Sequence, residues 1–306
     1  MSIHAGFDLG GTQIKFGLVR ETGEVVFQDK SETPSEIKEL ISLLNELWKK
    51  IKRKAKGEIK SAGFGFPGIF SLKEKKIFQS PNYAGLDNFD LLPALSKFID
   101  IPFTINNDAN MAVYGEYMAG SGKGSQSIVL LTLGTGVGSG IILDGKLWQG
   151  KCGFAGELGH ITVNPHGEQC LCGSQGCLET EISAKKIVNN FYDNSKIRAN
   201  QNYSAKEVFL LARENNKEAH LAIEQAGYYL GIGFAIIINF INPETILIGG
   251  GIMKSGELIL TSALKEAEKR SYKASFRCCR IQKAGLGNKA GFIGSALWSI
   301  HQFRKS

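Results

Sequence analysis

The apolar and polar positions of this 306-residue chain change period several times, and each change marks an element. The opening, GFDLGGTQIKFGLVRETGEVVFQDK, alternates short apolar runs with turn signals. It predicts a strand through Phe7, a glycine turn at Gly10 and Gly11, a strand over residues 14–19, and a hairpin at Thr22 and Gly23 into a third strand. The period then becomes helical, with Ile37, Leu40, Ile41, Leu44, Leu47, Trp48 and Ile51 on one face. Thr33, Pro34 and Glu36 read as a capping box with proline at the first helical position, and Gly57 follows the end. Strands are predicted at 61–66, closing on a turn at Pro67 and Gly68, and at 103–105, leading into NNDAN.

A second stretch, SIVLLTLGTGVGSGIILDGKLWQG, repeats the opening plan. It predicts a strand over 128–133, the turn GTGVGSG, a strand over 140–143 and a tight hairpin at Asp144 and Gly145. Two copies of strand, Gly/Thr turn, strand and hairpin point to a duplicated fold, with a period too long for a solenoid. Helices are predicted near 183–193, 204–215 and 217–240. A buried strand at 245–248 runs into Gly249, Gly250 and Gly251, and a last helix near 291–303 packs back on the first half. Strands alternating with helices place the chain in the α/β class.

Hydrophobic content of 43% and charged content of 21% are those of a soluble globular protein. The first residues, MSIHAGFDLGG, lack the charged start and apolar stretch of a signal peptide. The most apolar run, LGIGFAIIINFI at 230–241, is shorter than the ~20 residues of a membrane span and contains Asn239. A cytoplasmic protein without a membrane partner is expected. The net charge is +7, and much of the excess lies in KKIKRKAKGEIK at 49–60, the end of the amphipathic helix. Cations there complement the helix dipole and face water. No aromatic residues interleave the lysines, so a nucleic-acid partner is not expected. A positive field also suits an anionic nucleotide.

Candidate chemistry begins at Asp8-Leu-Gly-Gly-Thr12. A strand-borne carboxylate followed by two glycines and a hydroxyl makes a turn whose amides approach phosphate oxygens, while the carboxylate holds Mg²⁺ through water. LGTGVGSG at 133–140, with Thr135 and Gly136, is a second such turn. Either one alone is equally the mark of a hairpin; two matched turns on duplicated units make the stronger case. Neither is a Walker loop, and a hairpin rather than a long helix follows each, against a dinucleotide fold. Asn107-Asp108 follows a strand end. Asp108 there has the chemistry to take the proton of an attacking hydroxyl, although spacing alone favours a cap for the helix starting near Ala109.

His160, Cys170, Cys172 and Cys177 form the sharpest local pattern. Three thiolates and an imidazole suit tetrahedral Zn²⁺ with no open position, a structural rather than catalytic set; buried thiols are the alternative. Gly167, Gly173 and Gly176 allow the tight knuckle. No C-x-x-C pair supports a redox role, and Cys152, Cys278 and Cys279 read as packing residues. Interleaved with the ligands are Glu157 and Glu179. Their carboxylates and the imidazole edge are good acceptors for the hydroxyl donors of a sugar.

Together, DLGGT, NNDAN, LGTGVGSG, GELGH, GEQCLCGSQGCLE and INPETILIGGGI resemble the ROK family of bacterial sugar kinases and repressors over nearly the whole chain. The resemblance implies a duplicated actin-like (RNase H-like) ATPase fold with two domains around a central cleft. Residues 1–118, completed by a helix at 291–306, would form the smaller domain, and 119–290 the larger, with the zinc knuckle. It implies Asp108 as catalytic base. Gly68, Asn107, Glu157, His160 and Glu179 would bind sugar. Asp8, Gly10, Gly11, Thr12, Thr135 and Gly136 would bind phosphates, with Gly249, Gly250 and Gly251 beside the adenine. His160 would serve zinc through one nitrogen and sugar through the other, with Cys170, Cys172 and Cys177 as the remaining ligands. ATP with Mg²⁺, a structural Zn²⁺ and a homodimer are the implied cofactors and assembly. Many members carry Lys where this chain has Gln13, and Lys15 is the nearby charge.

The implied activity is ATP-dependent phosphorylation of a hexose, glucose to glucose 6-phosphate, a glycolytic step. Kinases for N-acetylmannosamine, N-acetylglucosamine, mannose or fructose are the alternatives within the family, and HPEMGH, a pattern of fructose-type members, is absent. The family's repressors carry a winged helix-turn-helix before DLGGT, and here DLGGT begins at residue 8, so direct repression is not expected. A non-catalytic sugar sensor is disfavoured by the intact Asp108.

Overall fold

The computed structural model describes residues 2–74, 76–80, 83–195, 202–254 and 256–304. The chain opens with β1 (Ile3–Leu9), β2 (Gln13–Arg20), β3 (Val25–Glu32), α1 (Ile37–Lys54) and β4 (Ile59–Phe66). Then come β5 (Ile69–Ser71), β6 (Lys76–Gln79), α2 (Leu91–Ser96), β7 (Phe103–Asn107) and α3 (Asp108–Ala119). The middle holds β8 (Ile128–Leu133), β9 (Val137–Leu143), β10 (Lys146–Leu147), α4 (Leu178–Ile182), α5 (Ala184–Asn194), α6 (Ala205–Arg213) and α7 (Lys217–Phe240). It closes with β11 (Thr245–Gly249), α8 (Glu257–Arg270), α9 (Lys273–Cys278), β12 (Arg280–Lys283) and α10 (Ala290–Phe303). Two compact units result: residues 1–126 with 140–156 and 284–306, and residues 127–139 with 157–283.

The first unit is built on a sheet of order β3-β2-β1-β4-β7. β1, β2 and β3 form an antiparallel meander, and β4 and β7 join in parallel. The period of two sorts β1 and β4 into two faces. Phe7, Phe16 and Phe64 stack on one face, with Phe7 and Phe64 ring centroids 4.6 Å apart, in a core shared with Leu40, Leu44, Trp48 and Ile51 of α1. The opposite face carries Gly6, Asp8, Gly63 and Gly65, and α10 lies down on it. A Cβ at Gly6 would overlap the Phe292 carbonyl, and one at Gly63 the Ser295 carbonyl. Glycine is needed on this face because the helix backbone itself is the packing partner.

The second sheet has the order β10-β9-β8-β11-β12, with β11 parallel to both β8 and β12. In the second unit α7 is the core helix. By length and composition it is apolar enough to cross a membrane, yet Ala222, Ile223, Leu230, Phe234, Ile237 and Ile238 are buried.

Most sequence expectations for elements hold: α7 runs over the predicted 217–240, and β8 over 128–133. β9 starts at Val137, so the second glycine turn is only 134–136, shorter than GTGVGSG suggested. The capping box at Thr33 is a misreading. The N-cap of α1 is Glu36, with no side-chain bond, and Thr33 is turned to the first glycine turn instead. The lysine-rich end of α1 lies at the surface beside carboxylates, Lys50 on Asp29 at 2.6 Å and Lys52 on Asp100 at 3.2 Å. Cys152 and Cys278 are exposed, not packed.

Candidate active site

In the first unit, Asp8 is the second-to-last residue of β1, just before the glycines. Gly10 N–H donates to the Gln13 carbonyl at 3.0 Å, closing the turn. Thr33 braces it twice: its N–H donates to the Thr12 carbonyl at 3.0 Å and its Oγ1 to the Gly10 carbonyl at 2.7 Å. Gly11 and Thr12 are exposed, so the turn presents its backbone outward. Asp8 is enclosed, and Lys15 Nζ stands 3.6 Å from its Oδ2. Burial raises the Asp8 carboxyl above its ordinary range, and Lys15 pulls it back only in part. Gly291, in the first turn of α10, lies against the carboxylate: a Cβ there would stand 2.6 Å from Oδ2 and 2.7 Å from Oδ1.

NNDAN spans the end of β7 and the start of α3. Asn107, not Asp108, is the N-cap: its Oδ1 accepts from Asn110 N at 2.9 Å. Asp108 is the first helical residue, where the helix dipole favours a carboxylate anion, and its Oδ1 accepts from Ala109 N at 2.8 Å. Asn107 Nδ2 donates to the Gly68 carbonyl at 2.8 Å, so the Pro67-Gly68 turn and the start of α3 are tied together. Asn106 sits beneath: its Oδ1 accepts from Asn107 N at 2.8 Å and from Gln149 Nε2 at 3.0 Å. Asp8 pairs in register with Gly65, and a Cβ at Gly65 would lie 3.2 Å from the Asp108 Cα. Asp8, Gly68, Asn107 and Asp108 thus gather at one end of the first sheet.

In the second unit, Gly134 N–H donates to the Gly136 carbonyl at 2.9 Å, and Ala184 N–H at the start of α5 donates to the Gly134 carbonyl at 2.9 Å. Thr135 is exposed at the tip. Gly249 pairs with Thr132, and a Cβ at Gly250 would overlap the Leu133 carbonyl, which puts these two glycines beside the strand end that leads into this turn. Glu179 reaches the same place: its Oε2 accepts from Val137 N at 2.8 Å. Glu157 precedes a short 3₁₀ turn, Leu158–His160, whose Leu158 N–H donates to Ser139 Oγ at 3.0 Å. Glu157 is exposed as a residue, but desolvation of its carboxyl raises its pKa, against the nearby His160 and with the Glu179 charge adding.

His160, Cys170, Cys172 and Cys177 place one donor atom each within 4.8 Å of one another. His160 Nδ1 and Cys170 Sγ are 3.6 Å apart, as are the sulfurs of Cys172 and Cys177. Tetrahedral zinc, with bonds of about 2.3 Å to sulfur and 2.0–2.1 Å to nitrogen, sets its donors roughly 3.4–3.8 Å apart. The cluster fits. Burial and the neighbouring Cys172 and Cys170 push the Cys177 thiol up to about 12, and a bound cation would favour its thiolate. Nδ1 is the imidazole nitrogen that faces the thiols.

Sequence reasoning missed Thr33 as a brace, Asn106 and Gln149 beneath the cap, Ser139, and Gly291 against Asp8. Their partners lie 19 to 283 positions away in the chain, and no local pattern carries that signal.

Residues 4–302 match the profile of the ROK family. A glucokinase of Halalkalibacterium halodurans is 34% identical over 321 residues, covering 99% of this chain and 96% of that protein. The xylose repressor of Bacillus subtilis is 29% identical, covering 97% of this chain and 77% of the repressor. Among solved structures, a ROK family glucokinase from Streptomyces griseus in complex with glucose and AMPPNP superposes with a TM-score of 0.87 at 28% identity, covering 98% and 99% of the two chains. The duplicated, actin-like α/β architecture is that of these sugar kinases. With the glycine turns, NNDAN and the Cys₃His knuckle all in place, this chain belongs to the ROK family.

Proposed function

We propose that the protein is an ATP-dependent hexose kinase that converts glucose to glucose 6-phosphate. The observation that carries the reading is the division of labour in NNDAN. Asn107 caps α3, and Asp108, its first helical residue, stands with Asp8, Gly68 and Asn107 at one end of the first sheet, where its carboxylate would act as the base. In this reading Asp108 is the base, the two glycine turns hold the phosphates, and Glu157, His160 and Glu179 accept from the sugar hydroxyls. The sugar hydroxyl attacks the γ-phosphorus in line, its proton passes to Asp108, and the bond to the bridging oxygen breaks with its electron pair leaving on ADP.

Asp8 would hold Mg²⁺ through water, where the ion would neutralise charge on the phosphate oxygens. Gly10, Gly11, Thr12, Thr135 and Gly136 would turn amides and hydroxyls to the phosphates, with Gly249, Gly250 and Gly251 beside the base. The fourth donor closes the zinc shell, so zinc would hold His160, Glu157 and Glu179 in register and supply no Lewis acid. The reading places the enzyme in the cytoplasm, where MgATP is available, with sugar and nucleotide as its partners and no nucleic acid or membrane. A homodimer is part of it. The exposed groove lined by Ile232, Ile236 and Phe240 of α7, with Phe240 88% exposed, supports a second copy there, and sedimentation of Phe240→Asp tests it.

Steady-state rates with glucose, mannose, fructose, N-acetylglucosamine and N-acetylmannosamine should rank glucose first. Asp108→Asn should abolish turnover and leave glucose binding by calorimetry nearly unchanged. Retained turnover would remove Asp108 from the mechanism, and glucose binding with no phosphoryl transfer in the wild type would favour a sugar sensor.

A further inference from the structure

Glu116 is a carboxylate with no access to solvent, on the same helix as Asp108 and two turns later. Its burial is compensated by backbone donors: Ser121 N at 2.9 Å and Gly285 N at 3.0 Å to Oε2, and Leu286 N at 2.7 Å to Oε1. Such charge-assisted bonds in a dry site are the strong kind, and removing their acceptor strands several donors at once. The surroundings are shaped to the carboxylate. A Cβ at Gly120 would overlap Glu116 Oε2, and one at Gly285 would lie 2.6 Å from Ser121 Oγ.

The three donors belong to two segments, the chain leaving α3 and the chain entering α10. Glu116 therefore stitches the end of α3 to the start of α10. Along their length the two helices approach backbone to backbone: a Cβ at Gly115 would overlap the Ala290 carbonyl, and one at Gly294 the Met111 carbonyl. Five residues past Leu286, Gly291 meets the Asp8 carboxylate. At Gly65, the strand position paired with Asp8, a Cβ would lie 3.2 Å from the Asp108 Cα and 3.3 Å from Ser295 Oγ of α10. Asp8 is thus set by α10, Asp108 by α3, and the two helices are joined at Glu116.

We infer that Glu116 is a positioning residue for phosphoryl transfer, fixing α10 on α3 so that the Asp8 and Asp108 carboxylates keep their mutual placement. The inference rests on the kinase reading of Asp108 and Asp8. Glu116→Gln keeps the shape but leaves one amide oxygen where two carboxylate oxygens accept three bonds. Per folded molecule, with the folded fraction taken from urea titration, kcat should fall about ten- to a hundredfold, the scale of a misplacement of about 1 Å. The glucose KM should rise by less than kcat falls, because Asn107 and Gly68 are held to each other by their own hydrogen bond and Glu157, His160 and Glu179 stand on segments that Glu116 does not touch; uniform loss of binding would instead raise KM alone. Gly285→Ala crowds the same latch without touching the carboxylate and should show the same split. The double variant should lose less than the product of the two, and where Glu116→Gln does not fold, Gly285→Ala carries the test. Wild-type kcat per folded molecule in the folded variants would reduce Glu116 to a purely structural role. Asp108→Asn measured alongside separates the two ideas: turnover there defeats the kinase reading, whereas a dead Asp108→Asn beside a fully active Glu116→Gln defeats only the latch.

Discussion

Gly291 of α10 lies directly against the carboxylate of Asp8, leaving no space for a methyl group between helix and strand. The contact joins two parts of the chain 283 positions apart and puts the start of a helix behind the one carboxylate of the first glycine turn. Gly291→Ala should therefore shift Asp8, α10 or both. The expected result is a strong loss of kcat with a higher KM for MgATP, while glucose binding is kept. Wild-type kinetics in Gly291→Ala would mean that the position of Asp8 does not matter to the reaction.

Asp8 itself predicts a trade between stability and activity. Burial raises its pKa above the ordinary 3.8, and Lys15 opposes only part of the rise. A carboxyl raised in the folded state contributes its stability below the unfolded value and loses it as pH climbs through the folded value. Asp8→Asn, which has no charge to bury, should be more stable than the wild type at pH 7.5. That advantage should shrink as the pH falls toward about 4, near the unfolded carboxylate value. Urea midpoints at several pH values give the comparison, and an Asn variant less stable at pH 7.5 would contradict it. The same variant should lose turnover with MgATP.

Thr33 offers a smaller, cleaner test of the first turn. Its hydroxyl bond to the Gly10 carbonyl is one neutral hydrogen bond, worth about 1 kcal/mol. Thr33→Val should raise the KM for MgATP about fivefold, by that same energy, with little change in glucose KM. An equal rise in both would point to general loosening rather than to the turn.

The metal cluster separates structure from chemistry. Cys172 is the exposed thiol of the four donors, so Cys172→Ser disturbs packing least. Bound zinc by elemental analysis should fall, and glucose KM should rise about ten- to a hundredfold, as expected when charged hydrogen bonds of about 1.5–3 kcal/mol are misplaced. Activity extrapolated to saturating glucose should fall much less. Loss of kcat at unchanged KM would mean that the metal acts on the reacting phosphate after all.

Periods and spacings were enough to find most elements, the duplication and the knuckle, because strands, amphipathic helices and chelating loops are written in neighbours along the chain. The glycine turns and NNDAN were legible for the same reason. Thr33 shows where such reading misleads: a threonine before Pro34 looks like a helix cap from its neighbours, but its hydroxyl finds a carbonyl 23 positions back. Asp108 shows the converse. Spacing favoured it as the cap, and the fold hands that task to Asn107.

Local order in the chain thus settled which residue types are present for phosphate, sugar and metal, and on which strand ends and turns they stand. It was folding that chose their neighbours: Lys15 and Gly291 for Asp8, Gln149 for Asn106, Val137 for Glu179, and three backbone amides for Glu116. These pairings are long-range and act through burial and hydrogen-bond geometry, quantities that exist only once distant segments have packed and water has left.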